Sequence, residues 1–367
     1  MLRTLACSLA LLTAGMAAGR VHAGEAQQDA RACAGETDPA RRLECYDHAV
    51  GRDSALAPVP EPLPVRRAMT ADVFSNSQGG FDSRCDKELP SSLLDSRWEL
   101  DPGRVSGTKP PAYCIRAYRP VYLMPFYFTS KTNPTPSSPS PGNTVTDPEK
   151  INRGEVKYQL SLKTKIWRNV FGDNGDLWMG YTQVSHWQIY NAERSRPFRE
   201  TNYEPDANLV FRTTHEGTLL GWTPRMFGFG LVHQSNGRSD PLSRSWNRAT
   251  AMLGLERDNW TVIVRPWWRV LEFGDDNNPD ISDYMGRGNI EIVHVDDKGE
   301  HQFALMLRHS LRGGDRSHGA LQFDYAFPIA PPLRGHVQVF NGYGESLIDY
   351  NHRAWYAGVG VSLIEWY

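Results

Sequence analysis

The run Trp355-Tyr356-Ala357-Gly358-Val359-Gly360-Val361-Ser362-Leu363 decides how the rest of the chain is read. Trp355, Ala357, Val359, Val361 and Leu363 form one face. Tyr356, Gly358, Gly360 and Ser362 form the other, the period of two of an extended strand. The alternation recurs upstream. Val156, Tyr158, Leu160 and Leu162 alternate with Lys157, Gln159, Ser161 and Lys163. Phe303, Leu305 and Leu307 alternate with Gln302, Ala304, Met306 and Arg308, and Val337 and Val339 with His336 and Gln338. A soluble β-sandwich also alternates, but here the second face carries Lys, Gln, His, Arg and Gly, which suits a polar lumen. Trp260, Trp267, Trp268, Trp355 and Tyr356 lie near strand ends, as in interfacial girdles.

The pattern predicts an all-β fold: a twelve-stranded antiparallel transmembrane β-barrel over residues 116–367. The strands centre near Tyr122, Leu160, Thr182, Leu209, Phe229, Ala251, Val264, Ile292, Leu305, Phe323, Val339 and Val359. An even count puts both ends of the barrel on one side, the periplasmic one. The longest gaps, 129–153, 191–204, 236–246 and 272–283, then fall on the extracellular side. The first gap is rich in Pro and Ser and reads as mobile.

Composition agrees. Over 367 residues the net charge is −2 with 22% charged side chains, so no strong field points to a nucleic-acid partner. Beyond the first two dozen residues no apolar run reaches the length of a spanning helix. Residues 1–23 read as a secretory signal: Arg3, an uncharged stretch from Leu5 to Ala18, then Val21-His22-Ala23 at the cut. Residues 24–115 form an N-terminal extension, expected in the periplasm. It is charged from Asp29 to Val50, with modest helix potential, and Pro58 to Pro64 reads as an extended linker. Four cysteines follow the signal in an oxidising compartment. Sequence proximity pairs Cys33 with Cys45 and Cys85 with Cys114.

The polar residues that break the pattern are the informative ones. Phe227, Phe229 and Leu231 share the lipid-facing parity of their strand, and His233 and Ser235 share it too. On the next strand Asn247 has the parity of Ala249, Ala251, Leu253 and Leu255. Three polar side chains therefore fall on the apolar outer wall near one rim, where a structural polar group would more cheaply face the lumen. A serine hydroxyl becomes nucleophilic when an imidazole takes its proton. Neutral Asn can fix the imidazole tautomer.

Four longer motifs carry a resemblance. They are HQSNGRSDPLSRSWNR (233–248), PFRETNYEP (197–205), DDNNPDISDYMG (275–286) and NGYGESLIDYN (341–351). Together they resemble the signatures of the bacterial outer-membrane phospholipase A family, over roughly residues 115–367. The resemblance implies a twelve-stranded outer-membrane barrel with Ser235 as nucleophile, His233 as general base and Asn247 as orienting residue. Gln234 stands where the family often has an acid, and DDNNP holds one extra Asn. The resemblance further implies a Ca2+-dependent enzyme active as a homodimer. Its catalytic ion would take the carbonyl of Arg238, the hydroxyl of Ser243 and, from the partner chain, the carbonyl of Ser195. Asp240 with Asp275 or Asp276 would match a second ion site, and Gln183 in YTQVSHWQ would match an interface Gln. The backbone N–H near Gly237, together with a calcium-bound water, would stabilise the oxyanion. The expected activity is hydrolysis of acyl esters of membrane phospholipids. A passive porin and a soluble exported sandwich are the rival readings.

Overall fold

The computed structural model describes residues 33–49, 92–100, 113–213, 217–218, 220–270, 272, 274, 276–330 and 332–367. The expected signal, the proline linker, Cys85 and Asp275 lie outside the described residues. The chain divides into two compact units, Met1–Pro64 and Val65–Tyr367.

In the first unit a 3-10 turn, Cys33–Gly35, precedes a helix, Pro39–Ala49. Pro39 opens the helix, where its missing N–H costs nothing. The Asp38 carboxylate accepts from the Arg41 backbone N–H at 3.2 Å. The expected Cys33–Cys45 disulfide is present. Cys114 is also disulfide-bonded, but its expected partner is outside the described residues.

The second unit is a closed antiparallel barrel. Its strands are β2 (Val121–Thr129), β3 (Gly154–Trp167), β4 (Asp176–Trp187), β5 (Phe198–Arg212), β6 (Thr223–Ser235) and β7 (Ser245–Arg257), continuing with β8 (Trp260–Arg269), β9 (Gly288–Val295), β10 (Gln302–His309), β11 (Gly319–Ala330), β12 (Leu333–Tyr343) and β13 (Arg353–Ile364). Each pairs with its sequence neighbour, and β13 pairs with β2 to close the ring. A short β1 (Ile115–Ala117) pairs with β3 as a broken start of the first strand. All twelve expected centres fall inside barrel strands. At the end opposite the long loops, β7 and β8 are joined by only two residues, Asp258-Asn259, with Asp258 at φ 51, a conformation Asp and Asn tolerate.

Burial is inverted relative to a soluble protein. On β3, Leu160 is 49% exposed while Lys163 is 1% exposed. The outward apolar positions form the lipid belt and the charged ones fill the lumen. Several of them are paired there: Lys157 with Glu345 at 2.7 Å, Arg199 with Glu155 at 2.8 Å, and Arg248 with Glu204 at 2.7 Å. A water-free charge would be costly, and pairing offsets that cost.

Two expectations are corrected. Trp260, Trp268 and Trp355 face outward, but Trp267 and Tyr356 are buried inside. Trp267–Trp268 and Trp355–Tyr356 are adjacent pairs, and neighbours on a strand must point to opposite faces. The gap expected at 191–204 is shorter, because β5 begins at Phe198. Glu200, Asn202, Glu204 and Asp206 all turn into the lumen, so PFRETNYEP is mostly strand.

A further element was not foreseen. The helix Leu93–Trp98, with Ser92 as N-cap, sits inside the short-turn end of the barrel. Leu94 N–H donates to Glu256, and the Arg97 guanidinium donates to the carbonyls of Glu365 and Trp366. Trp98 packs on Tyr118 and Trp178, and Lys163 Nζ lies 3.1 Å from its ring centre. Above this plug the lumen keeps a cavity of about 210 Å³, lined by both signs of charge, including Arg119, Glu204, Arg265 and Glu291. At the loop end Trp246, Trp267, Ile281, Met285, Leu347 and Tyr350 form a second apolar cap.

Candidate active site

The site begins with strand register. On β6, Phe229 is 57% and Leu231 63% exposed, and the same face continues to His233 and Ser235. β7 pairs so that His233 lies opposite Asn247 and Ser235 opposite Ser245. Directly opposed residues on one face have their Cβ atoms about 5 Å apart. His233 Nδ1 and Asn247 Oδ1 are 2.8 Å apart. The intervening Gln234 faces inward, where its Oε1 accepts from Trp246 Nε1 at 2.8 Å and Arg248 Nη2 at 3.3 Å. An acid at that position would accept the same bonds, so the departure leaves the outer wall unchanged.

One partner of this site had no sequence signal. Glu272, in the loop after β8, accepts from Asn247 twice: from the backbone N–H at 3.0 Å and from Nδ2 at 3.1 Å. A carboxylate can only accept, so the amide end of Asn247 faces it and the carbonyl end faces His233. Nδ1 then carries the imidazole proton, which leaves the lone pair of the neutral ring on Nε2.

The loop 236–244 is shaped by Asn236, another residue without a sequence signal. Its Oδ1 accepts from the N–H groups of Arg244 at 3.0 Å and Arg238 at 3.3 Å, and its Nδ2 donates to the Leu242 carbonyl at 2.8 Å. Gly237 has φ +61, and a Cβ there would meet the Tyr203 ring at 3.1 Å. The turn beside Ser235 therefore favours glycine on two counts. Buried Arg244 spans the loop, donating to the carbonyls of Pro241, Ser243 and Asn143. Burial lowers the pKa of this guanidinium below its ordinary range.

Arg238 and Ser243 lie on this one loop, and both offer oxygen to a hard cation. The Ser243 hydroxyl accepts from Asn277 Nδ2 at 2.7 Å, while Asn278 pairs with the Ser245 backbone, so both Asn residues of DDNNP are used. Ser195 stands apart on the exposed loop between β4 and β5, at φ 57. By type these donors are the oxygens a hard cation takes, the chemistry of the catalytic calcium that the family resemblance implies. Of the second set, Asp275 lies outside the described residues and the other two have partners. Asp240 Oδ1 accepts from Asn143 Nδ2 at 2.8 Å, and Asp276 Oδ1 is ion-paired with Arg269 at 2.6 Å. The proline-rich first loop, read as mobile, is tied to this region through Asn143 and through Ser138, which donates to the Asn277 carbonyl at 2.6 Å.

A closed twelve-stranded barrel with a polar dyad on its outer wall defines the class: an outer-membrane β-barrel with hydrogen-bonded polar groups on its lipid face. The phospholipase A1 family model matches residues 94–363, which takes in the plug helix as well as the barrel. A relative from Neisseria meningitidis serogroup B is 39% identical over 355 residues, 90% of this chain and 89% of its own. Phospholipase A1 of Escherichia coli K12 is 44% identical over 216 residues, 59% of this chain and 71% of that protein. Among solved structures, the outer membrane phospholipase of Salmonella typhi, a dimer with bound calcium, superposes with TM-score 0.61 at 38% identity, covering 70% of this chain and 94% of that one. An E. coli outer membrane phospholipase A carrying an active-site Asn-to-Ala mutation gives TM-score 0.60 at 38% identity, over 70% and 93%. The chain belongs to the phospholipase A1 family, as an ester hydrolase of the outer membrane.

Proposed function

We propose that the chain is a calcium-dependent phospholipase that hydrolyses acyl esters at either position of glycerophospholipids, and in lysophospholipids, through Ser235, His233 and Asn247. The observation that carries this reading is the 2.8 Å contact between His233 Nδ1 and Asn247 Oδ1 on the lipid-facing wall, two residues from Ser235. Ser235 Oγ attacks the ester carbonyl carbon while His233 Nε2 takes its proton. The carbon–oxygen bond to the glycerol then breaks, and the imidazolium returns the proton to the leaving alkoxide. Water, deprotonated by the same nitrogen, releases the fatty acid from the acyl-serine. Asn247 holds the ring and accepts from Nδ1 throughout. The N–H near Gly237 would face the oxyanion, a contribution of roughly 10²–10³ in rate. Calcium on the Arg238 carbonyl, the Ser243 hydroxyl and the Ser195 carbonyl of a second chain would supply positive charge at that point.

Release of fatty acid from detergent-dispersed phospholipid, measured with calcium and with chelator, tests the reading. Full activity in excess chelator would remove the ion from it. Ser243→Ala should raise the calcium concentration needed about tenfold, equivalent to about 1.4 kcal/mol of binding. Asn247→Ala should cost less than losing Ser235 or His233. It removes one hydrogen bond to a ring that becomes charged, about 1.5–3 kcal/mol, hence roughly 10–10²-fold in kcat. A loss as deep as that of Ser235→Ala would mean Asn247 does more than orient. A passive channel has no use for the outward dyad, and the plugged lumen supports the enzyme over it.

A further inference from the structure

We propose that Glu272 is a positioning residue that locks the Asn247 amide and, through it, the His233 tautomer. The inference rests on the serine hydrolase reading above and adds a fourth member to its relay. Three observations carry it. Both Glu272 oxygens are engaged by residue 247, one by the backbone N–H at 3.0 Å and one by Nδ2 at 3.1 Å. Asn247 Oδ1 is thereby left for His233 Nδ1 at 2.8 Å. Glu272 is itself held: Arg269 Nε lies 3.3 Å from Oε1, and the same guanidinium donates to the carbonyls of Asn278 and Pro279.

The chemistry explains why a carboxylate belongs there. An unrestrained primary amide has two orientations of similar shape, and only one presents oxygen to the imidazole. The flipped amide would present N–H to Nδ1, stabilise the tautomer with the proton on Nε2 and remove the base from Ser235. A carboxylate that accepts from both the main chain and Nδ2 of one residue penalises the flip by setting oxygen against oxygen. Charge-assisted bonds of this kind are stronger than neutral ones. The negative charge also lies behind the amide, on the side opposite the imidazole, and favours the imidazolium formed during acyl transfer.

The test uses the full-length protein in detergent with calcium. Glu272→Gln can accept only one of the two bonds and should lower kcat roughly tenfold at unchanged KM. It should also slow labelling of Ser235 by a long-chain alkylsulfonyl fluoride to the same degree. Because Glu272 acts through Asn247, adding Glu272→Gln to Asn247→Ala should cost nothing further. Asn247→Asp alone should be impaired by two facing carboxylates. Combined with Glu272→Gln it should recover, since the Gln amide can donate to the new carboxylate and its carbonyl can still accept from the main-chain N–H. Wild-type kcat and labelling in Glu272→Gln, or an equal loss in the Asn247→Ala background, would overturn the proposal. So would failure of the double exchange to recover. Heat-modifiable migration on gels reports folding for each variant. Ser235→Ala, run alongside, separates failure of the relay from failure of the nucleophile assignment: activity surviving in that variant refutes the latter, whatever Glu272 does.

Discussion

Ser235→Ala is expected to lower kcat by roughly 10⁴–10⁶-fold while the barrel stays folded. The hydroxyl lies at the last residue of β6, on the outward face, so its removal leaves no cavity in the lumen or in either apolar cap. The β6–β7 register, the Asn236 hydrogen bonds and the His233–Asn247 contact do not pass through it. Thermal stability and gel migration should therefore match wild type, and calcium should still bind the loop. Only the acyl-transfer step loses its nucleophile. Hydrolysis near wild type in this variant would show that water is activated directly, or that another residue attacks. Persistence of covalent labelling by a sulfonyl fluoride would distinguish these two, since only the second leaves a reactive side chain.

The period of two carried most of the fold because lipid enforces it. Each lipid-facing residue must be apolar along almost the whole strand, whatever its neighbours do. The same rule located His233, Ser235 and Asn247 on one face before any register was known. It failed where the outer wall departs from apolarity. Thr201, Tyr203 and Pro205 face outward on β5 without forming an apolar run, so the strand's beginning read as loop. Adjacent tryptophans misled in the opposite way, since composition near a strand end does not say which of Trp267 and Trp268 points inward. The helix Leu93–Trp98 is too short to show a helical period, and its stability comes from Trp98, Leu94 and Arg97 meeting the barrel interior. Glu272 was out of reach for a related reason. Its partner is 25 residues away, and the contact depends on how the β8–β9 loop folds back over β7.

Specific activity is expected to rise with the protein-to-detergent ratio, because the active form is proposed to be a homodimer. The outer wall gives the physical reason. Strand pairing places Gln183 beside Tyr203, Tyr203 beside Ser235, and Ser235 beside Ser245, a single row across β4, β5, β6 and β7. With strands about 4.8 Å apart, Gln183 lies roughly 10 Å from Ser235 along that row. Its amide is held in place on the wall, accepting from Tyr181 Oη at 3.0 Å and donating to Ser185 Oγ at 3.2 Å. So much polarity facing hydrocarbon is costly for a lone barrel. A second barrel set against the same wall by a two-fold axis would cover it, since a two-fold interface matches one patch with itself. It would also complete a cleft for an acyl chain beside Leu231. The exposed Ser195, in the loop between β4 and β5, would then come near the loop 236–244 of the other chain and could add its carbonyl to the calcium ligands. Dilution into excess detergent should lower activity per barrel, and calcium with a non-hydrolysable substrate analogue should shift sedimentation toward dimers. Replacing Gln183 with a charged residue, Gln183→Glu, should move the midpoint of that dilution curve to higher protein concentration without altering the folded monomer. Constant specific activity over a wide dilution, with monomers throughout in sedimentation, would refute the dimer requirement and leave a lone outer wall sufficient for catalysis.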